Sequence, residues 1–451
     1  MKNNIAQQLT FADLKNFIKV HYLKNRTIVS RDIPSIIDDV EKVTGLPVTR
    51  HRYRSGEEHG TWVVPPRWDI KEAWLKDTTG TVIASYVDHP LFVAPYSKSV
   101  RRTVSREELL AHTITQPKQP DAFQYNWRYA MNATLRLKDW GISLPQQIVD
   151  ALSDGPFEIC IDAETEDGEM IVGDIVLKGE EPDTFLFVAD YCHPGQANDS
   201  FSGLAMFMKI MQALSRESKR RYTYRLLIVP ETIGSAVYIA SDPEKIKHVF
   251  GSLFSDSVGY GEKWYLKATR TGESYLDTVA AECARVFNDI GTSPFWSLTG
   301  NDEYIFDAVQ VGISSLALMK YPFIQYHTSN DTPDRIQEQD MTRAHEIVMH
   351  MVNVLEQDAV FESVHSVPFW MSRYDLFADA IYERESHVRN FNIVYHLLDG
   401  STSVLQIARA LNCRFDEIYP YFQSMEKNGL VRKKDARPWN MDQRLRTIVH
   451  H

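Results

Sequence analysis

The sequence predicts an α/β protein built on a mostly parallel sheet covered by helices, with a small strand-rich insertion and a C-terminal winged helix. From about residue 155, the short apolar runs FLFVAD, RLLIVP, SLFSDS and SSLALMK alternate with segments of helical periodicity. Strands that alternate with helices pair in parallel, because each crossover helix carries the chain back to the same end of the sheet. Two flanking stretches break this rhythm. Residues 62–100 are rich in Val, Trp, Tyr and Thr, and the tail from about 375 has the spacing of a winged helix-turn-helix. The expected division is an α/β core from 1–64 and 136–365, an inserted strand-rich domain at 65–135, and a winged-helix-like domain at 375–440.

Each element follows from its local pattern. Phe11, Leu14, Phe17 and Ile18, then Ile36, Ile37, Val40 and Val43, mark two amphipathic helices, and Gly45-Leu46-Pro47 stops the second. Asp77-Thr78-Thr79-Gly80 is a turn between two strands. FEICIDAETEDGEMIVGDIVLKG predicts a hairpin turning near Asp167-Gly168. Leu276, Val279, Ala280, Cys283, Val286 and Phe287 form one helical face; Met341, Ala344, Ile347, Val348, Met351 and Leu355 form another. In the tail, FNIVYHLLDG, STSVLQIARALN and RFDEIYPYFQSMEKNGLV predict three short helices ending in a Gly-Leu-Val turn.

Composition bounds the function. A chain of 451 residues that is 43% hydrophobic and 24% charged supports a substantial core and two or three domains. A net charge of -11 argues against general affinity for phosphate backbones, which needs a basic footprint. No stretch approaches the roughly 18 apolar residues of a spanning helix, and the first residues lack the apolar core of a signal peptide. Cys160, Cys192, Cys283 and Cys413 lie far apart, which suits a reducing compartment. A cytoplasmic protein with neither nucleic-acid nor membrane partners is expected; self-association stays open.

The chemistry sits at the strand ends, where open α/β sheets bind ligands. FLFVADY runs into Cys192-His193-Pro194 and Asn198-Asp199, RLLIVP into Glu231, SLFS into Asp256, and SSLALMKYPFIQ into Tyr326-His327 and Asp331. His193, Asp199 and His327 supply two imidazoles and a carboxylate, the mixed set of a catalytic zinc that keeps one position for water. Glu231 is the candidate general base, because its strand should lie beside the one carrying His193. Plainer readings exist for each residue alone. Asp199-Ser200 stands where a helix N-cap belongs, Pro230-Glu231 opens a helix, and His327 to Asp331 is good turn chemistry. Cys192 is expected as a buried thiol rather than a nucleophile, and the run Arg50 to Arg54 as a solvated loop. At four successive strand ends, the plain readings would all have to coincide.

These residues resemble the zinc aminopeptidase superfamily of the M28 type, and within it the aminopeptidase-like family DUF4910. Four segments carry the resemblance: Cys192-His193-Pro194 with Ala197-Asn198-Asp199-Ser200-Phe201-Ser202-Gly203; Pro230-Glu231-Thr232-Ile233-Gly234-Ser235; Gly300-Asn301-Asp302-Glu303; and Tyr326-His327-Thr328-Ser329 with Asp331-Thr332. It implies a zinc aminopeptidase-like core with His193, Asp199 and His327 as zinc ligands and Glu231 as base. Thr232 stands where M28 proteins carry a second glutamate, while Asp256 matches the aspartate that would share a second metal. Losing one of these ligands implies one zinc ion, with Asp256 free to orient an imidazole or the base. Asp190-Tyr191-Cys192 also departs from the Thr-His-Ile-Cys common in the closer family. Asp302, Glu303 and Tyr326 are candidates for contacting substrate, the two acids as an anchor for a free amine.

The expected function is zinc-dependent hydrolysis of a peptide or amide bond in a small substrate. An alternative is an amidase or deacylase acting on a sugar or secondary-metabolite amide. Alternatives of another class are an inactive scaffold, or a winged-helix protein that binds DNA or a partner. For DNA, Gln406 and Arg409 with the basic end Lys427, Arg432, Lys433 and Lys434 make a thin footprint.

Overall fold

A computed structural model describes residues 8–125, 139–376 and 394–440. The chain forms two compact units. The first takes it to Lys263 and adds Thr299–Phe306 and Leu318–His345; the second holds Trp264–Leu298, Asp307–Ala317 and Glu346 onward.

The main sheet of the first unit orders its strands Thr49–Arg54, Glu169–Leu177, Thr223–Val229, Thr184–Asp190 and Val249–Ser255. The last three are parallel and are linked through the helices Phe201–Arg216 and Ile233–Ser241. The first two run antiparallel to their neighbours, so the sheet is mixed. Helical crossovers impose parallel pairing only on the strands they join, and these two arrive by other routes.

The arginine-rich run is therefore an edge strand and not a loop. Arg50 pairs with Asp38 at 2.7 Å and Glu41 at 2.9 Å, both on the helix Ile33–Thr44. One residue on, the His51 ring packs 5.1 Å from Tyr238 on the helix Ile233–Ser241. Successive strand side chains point to opposite faces, so helices cover both. Ile33–Thr44 turns Ile33, Ile36, Ile37 and Val40 inward and ends at Gly45, whose φ of 70° gives the left-handed cap the sequence signalled. Each such side chain contributes about 1.5–3 kcal/mol by leaving water.

The predicted hairpin does not pair with itself. Phe157–Glu166 enters a second, antiparallel sheet ordered Val82–Ser85, Arg67–Lys76, Phe157–Glu166 and Val100–Val104, while Glu169–Leu177 joins the main sheet. Trp68, Leu75, Phe92, Trp140, Phe157 and Ile159 belong to the core of this second sheet. Its Asp77–Gly80 turn forms as expected: Gly80 takes φ 85°, and Asp77 accepts from the amides of Thr79 and Thr81.

In the second unit, Asp399–Ser403, Val360–Ser363 and Val431–Lys433 form a three-stranded sheet beside the helices Val404–Ala410 and Phe415–Lys427. Of the first tail helix expected, residues 391–393 lie outside the described residues and 394–397 form a single 3₁₀ turn. Gln406 closes a capping box with Ser403, and Arg409 donates to Thr278 at 3.3 Å. The four cysteines are buried and unpaired. Among the described residues no helix is long and apolar enough to cross a membrane.

Candidate active site

The three parallel strands finish in line, Asp190 opposite Val229 and Val188 opposite Phe254. The loops that follow them, carrying His193, Glu231 and Asp256, therefore leave one edge of the sheet. Leu318–Tyr321 runs beside the third strand: Ser255 Oγ donates to Leu318 O at 3.1 Å and Lys320 N to Ser257 O at 2.7 Å. Its continuation brings His327 to the same edge.

There His193 Nδ1 lies 3.8 Å from Asp199 Oδ1, and His327 Nε2 lies 3.2 Å from Asp199 Oδ2. The two imidazole centroids are 5.5 Å apart. Candidate ligand atoms of the three residues all fall within 4.8 Å of one another. Glu231 Oε2 sits 3.4 Å from His193 Nε2. Asp199 Oδ2, His327 Nε2 and Glu231 Oε2 are buried without hydrogen-bond partners. Leaving such atoms unsatisfied costs about 1–3 kcal/mol each, and a cation would relieve it. Two imidazoles with a carboxylate match the donor preference of zinc.

A second cluster was not foreseen. Asp190, Cys192, His193 and Glu231 also offer ligand atoms within 4.8 Å of one another, and neither carboxylate oxygen of Asp190 has a hydrogen bond. Burial, reinforced by the neighbouring carboxylates, pushes Asp190 and Glu231 well above the usual carboxylate range. Burial also pushes Asp256 and Asp302 up to about 7. Asp199 is the exception: burial pulls it up, but His193 and His327 hold it below the ordinary value. Burial draws the His193 imidazole down to about 4, which keeps it neutral and free to ligate.

Local structure explains why Asp199 faces the imidazoles. Ser200, the N-cap of Phe201–Arg216, makes no side-chain cap bond; its Oγ donates instead to Asp190 O at 2.9 Å. Asp331 fixes the backbone here, accepting from Asn198 N at 2.8 Å, Asp199 N at 3.0 Å and Tyr260 OH at 2.9 Å. Arg26 holds the preceding loop. Fully buried, it donates to the carbonyls of Tyr191 at 2.9 Å, His193, and Gln196 at 2.5 Å, with its guanidinium 3.7 Å over the Phe201 ring. Arg26 lies in an irregular segment with no periodic pattern, so no sequence signal marked it.

The remaining predicted residues lie outside both clusters. The Asp256 carboxylate accepts from Ser257 N and from Asn301 Nδ2 at 2.9 Å. Asp302 and Glu303 are buried. Asp302 accepts from Thr232 N at 3.1 Å, and Glu303 from Asn301 N at 3.2 Å. Tyr326 stacks on His327 at 3.9 Å. Cys192 is buried, and its Sγ takes the Glu231 amide at 3.1 Å, consistent with a structural thiol. Tyr125, which nothing in the sequence singled out, packs against both site imidazoles.

Known proteins share this arrangement of elements. A Clostridium acetobutylicum protein, provisionally named a polysaccharide biosynthesis protein with an aminopeptidase-like domain, is 27% identical over 358 residues, 78% of this chain and 80% of that one. A crystal structure from C. acetobutylicum, provisionally titled a peptidase, matches with a TM-score of 0.82 at 25% identity, covering 94% of this chain and 96% of the other. A zinc aminopeptidase from Bacillus subtilis shares the fold, with a TM-score of 0.55 at 15% identity over 77% of this chain and 95% of its own. The family described as a domain of unknown function, DUF4910, matches residues 15–358, and the chain belongs to that family.

Proposed function

We propose that the protein is a zinc-dependent hydrolase that cleaves a peptide or amide bond in a small, aminopeptidase-type substrate. The observation that carries this reading is the convergence of His193, Asp199 and His327, with unsatisfied ligand atoms, beside an equally unsatisfied Glu231. His193, Asp199 and His327 would hold one zinc ion, which when bound polarises a carbonyl and lowers the pKa of a water. Glu231 takes the proton from the attacking water and returns it to the leaving nitrogen. Its buried setting raises its proton affinity, as a base that must hold a proton between two transfers requires. Thr232 offers no carboxylate, and Asp256 is engaged by Asn301, which supports a single ion. Arg26 and Asp331 keep the ligand loops in place.

A second reading, an amide on a sugar as the substrate, is favoured by the name of the C. acetobutylicum relative. The use of Gln406 and Arg409 within their own unit supports a packing role for the tail over DNA binding. The test is metal analysis together with a screen of aminoacyl amides, short peptides and N-acylated amino sugars on wild type and Glu231→Gln. The variant should fold and retain zinc yet lose hydrolysis by about 100-fold or more. Full activity in Glu231→Gln, or wild-type protein that takes up no zinc, would remove the proposal.

A further inference from the structure

A polar pocket of about 460 Å³ opens at the end of the main sheet opposite His193 and Glu231. It lies where the three parallel strands begin: Thr184, Thr223 and Val249 line it, and each is the first residue of its strand. Seven residues of strand rise roughly 20 Å, so no small substrate reaches from this pocket to the candidate metal ligands. Its walls are pinned. Gly179 N donates to Thr223 Oγ1 at 3.2 Å, Glu180 N and Glu181 N to the carbonyls of Arg220 and Arg221 at 2.8 Å, and Thr184 N to His248 O at 2.8 Å. A Cβ on Gly179 would come 2.3 Å from the Tyr222 backbone, so only glycine lets the two segments lie this close.

The charges lining the pocket do not cancel within it. Each carboxylate has a cation outside the lining: Glu181 pairs with Arg221 at 3.0 Å, Glu244 with Lys247 at 2.9 Å and Glu180 with Lys219 at 4.0 Å. The Arg225 guanidinium is taken by Asp174 at 2.6 Å. Lys245 donates to neutral oxygens, Ser241 Oγ at 3.0 Å and Tyr53 OH at 3.4 Å. Lys178 and His248 pair with no acid among the described residues. Two ammonium groups and an imidazole therefore line the pocket without counter-charge.

We infer that this pocket binds a small organic phosphate monoester, with Lys178, Lys245 and His248 donating to the phosphate oxygens. A lysine is a point charge with three rotatable donors, which suits a tetrahedral phosphate; the planar guanidinium fork that favours a carboxylate is already engaged by Asp174. The volume falls within the range of about 300–1,000 Å³ that holds a metabolite, well beyond what inorganic phosphate fills. Val176, Pro182 and Val249 give the organic body apolar surface. This site is independent of the hydrolase reading, and no bond is made or broken in it.

Isothermal titration calorimetry on the purified full chain tests this with inorganic phosphate, glycerol 3-phosphate and glucose 6-phosphate, and with glucose, succinate and putrescine for comparison. The phosphate esters should bind, more tightly than inorganic phosphate, and glucose should not. Lys178 is exposed, so Lys178→Glu should fold as wild type does. It should weaken the esters about 10- to 100-fold, because a charged hydrogen bond is lost and a repulsion added. His248→Ala, also at an exposed position, should weaken them about 10-fold. Phosphate also settles on metals, so His327→Ala is titrated alongside. Binding that survives in His327→Ala and is lost in Lys178→Glu assigns the phosphate to the pocket. Every other pattern overturns the inference. Loss in His327→Ala with binding kept in Lys178→Glu would put the phosphate at the metal site. Binding of succinate or putrescine without the esters would mean that the lining selects a different charge or shape, and no binding of any probe would leave the pocket to water.

Discussion

Replacing Asp331 by Asn tests whether the metal loop is held in place by a carboxylate buried behind it. Asp331 is 0% exposed and accepts the amide of Asn198 on both oxygens, at 2.8 and 3.0 Å, the amide of Asp199 at 3.0 Å, and the Tyr260 hydroxyl at 2.9 Å. Asparagine keeps one acceptor oxygen and loses the charge, and its NH₂ faces either the two backbone amides, which cannot accept, or the Tyr260 hydroxyl, which can. At least two of the four bonds are lost, and hydrogen bonds to a charged acceptor contribute about 1.5–3 kcal/mol each. Against this, burial already pushes the Asp331 carboxyl up to about 7, so removing the charge recovers part of its desolvation cost. The net destabilisation should be about 2–4 kcal/mol. Because the acceptor of the Asp199 amide changes from a carboxylate to a neutral carbonyl, affinity for the proposed zinc ion should fall about 10- to 100-fold, the usual effect of weakening a partner that orients a ligand. Competition with a chromophoric chelator measures the affinity, and thermal unfolding of the metal-free protein measures the stability. Tyr260→Phe, which removes a single bond, should show a smaller loss of both. If Asp331→Asn binds zinc as tightly as wild type and melts at the same temperature, Asp331 does not position Asp199.

Two further substitutions probe the frame around the site. Gly195 adopts φ 75°, and a Cβ there would come 2.5 Å from His89 Cε1, so Gly195→Ala should lower stability by about 1–3 kcal/mol in a thermal melt; an unchanged midpoint would mean that this loop yields freely. Asp174 pairs with Arg225 at 2.6 Å on the strand next to the sheet's edge, and Asp174→Ala leaves that guanidinium its bonds to Lys245 O and the Tyr238 hydroxyl but no counter-charge, at a cost of about 3–5 kcal/mol, readable by urea denaturation. Burial raises the Asp174 carboxyl, but His51 and Arg225 outweigh it and hold the group below its ordinary value of 3.8. Its folded pKa being the lower one, its contribution is complete above the unfolded value, about 3.9, and is lost as pH falls through the folded one. Wild type should therefore lose stability in that acid range more steeply than Asp174→Ala, and identical slopes would contradict the assignment.

The part of the fold that was legible in the sequence is the part written in local signals. The alternation from Thr184–Asp190 to Val249–Ser255 has unbroken apolar runs and periodic helices between them, so both the parallel strands and the residues at their ends could be located. The edge strand Thr49–Arg54 could not. Its alternate residues are Arg or His and Tyr, matched by side chains on other elements, so no apolar period appears. The segment through Asp167-Gly168 has the local form of a hairpin, yet each half found a different partner: Arg67–Lys76 pairs along the full length of Phe157–Glu166. Tertiary pairing overrode the turn. Tyr125 was invisible for a related reason, since its place depends on hydrogen bonds to His327 and Ser329 about two hundred positions later. Asp302 and Glu303 read as a loop because their burial depends on amides supplied by Thr232 and Asn301.

The ring of residues around the site is drawn from almost the whole length of the first unit, from Arg26 through His193 and Glu231 to Asp331. Contacts of such long range form slowly and last, because the chain entropy between them must be given up before they reward it. Uptake of the proposed zinc ion during refolding should accordingly trail the appearance of secondary structure, and the ion would serve as a late marker that both ends of this unit have come home.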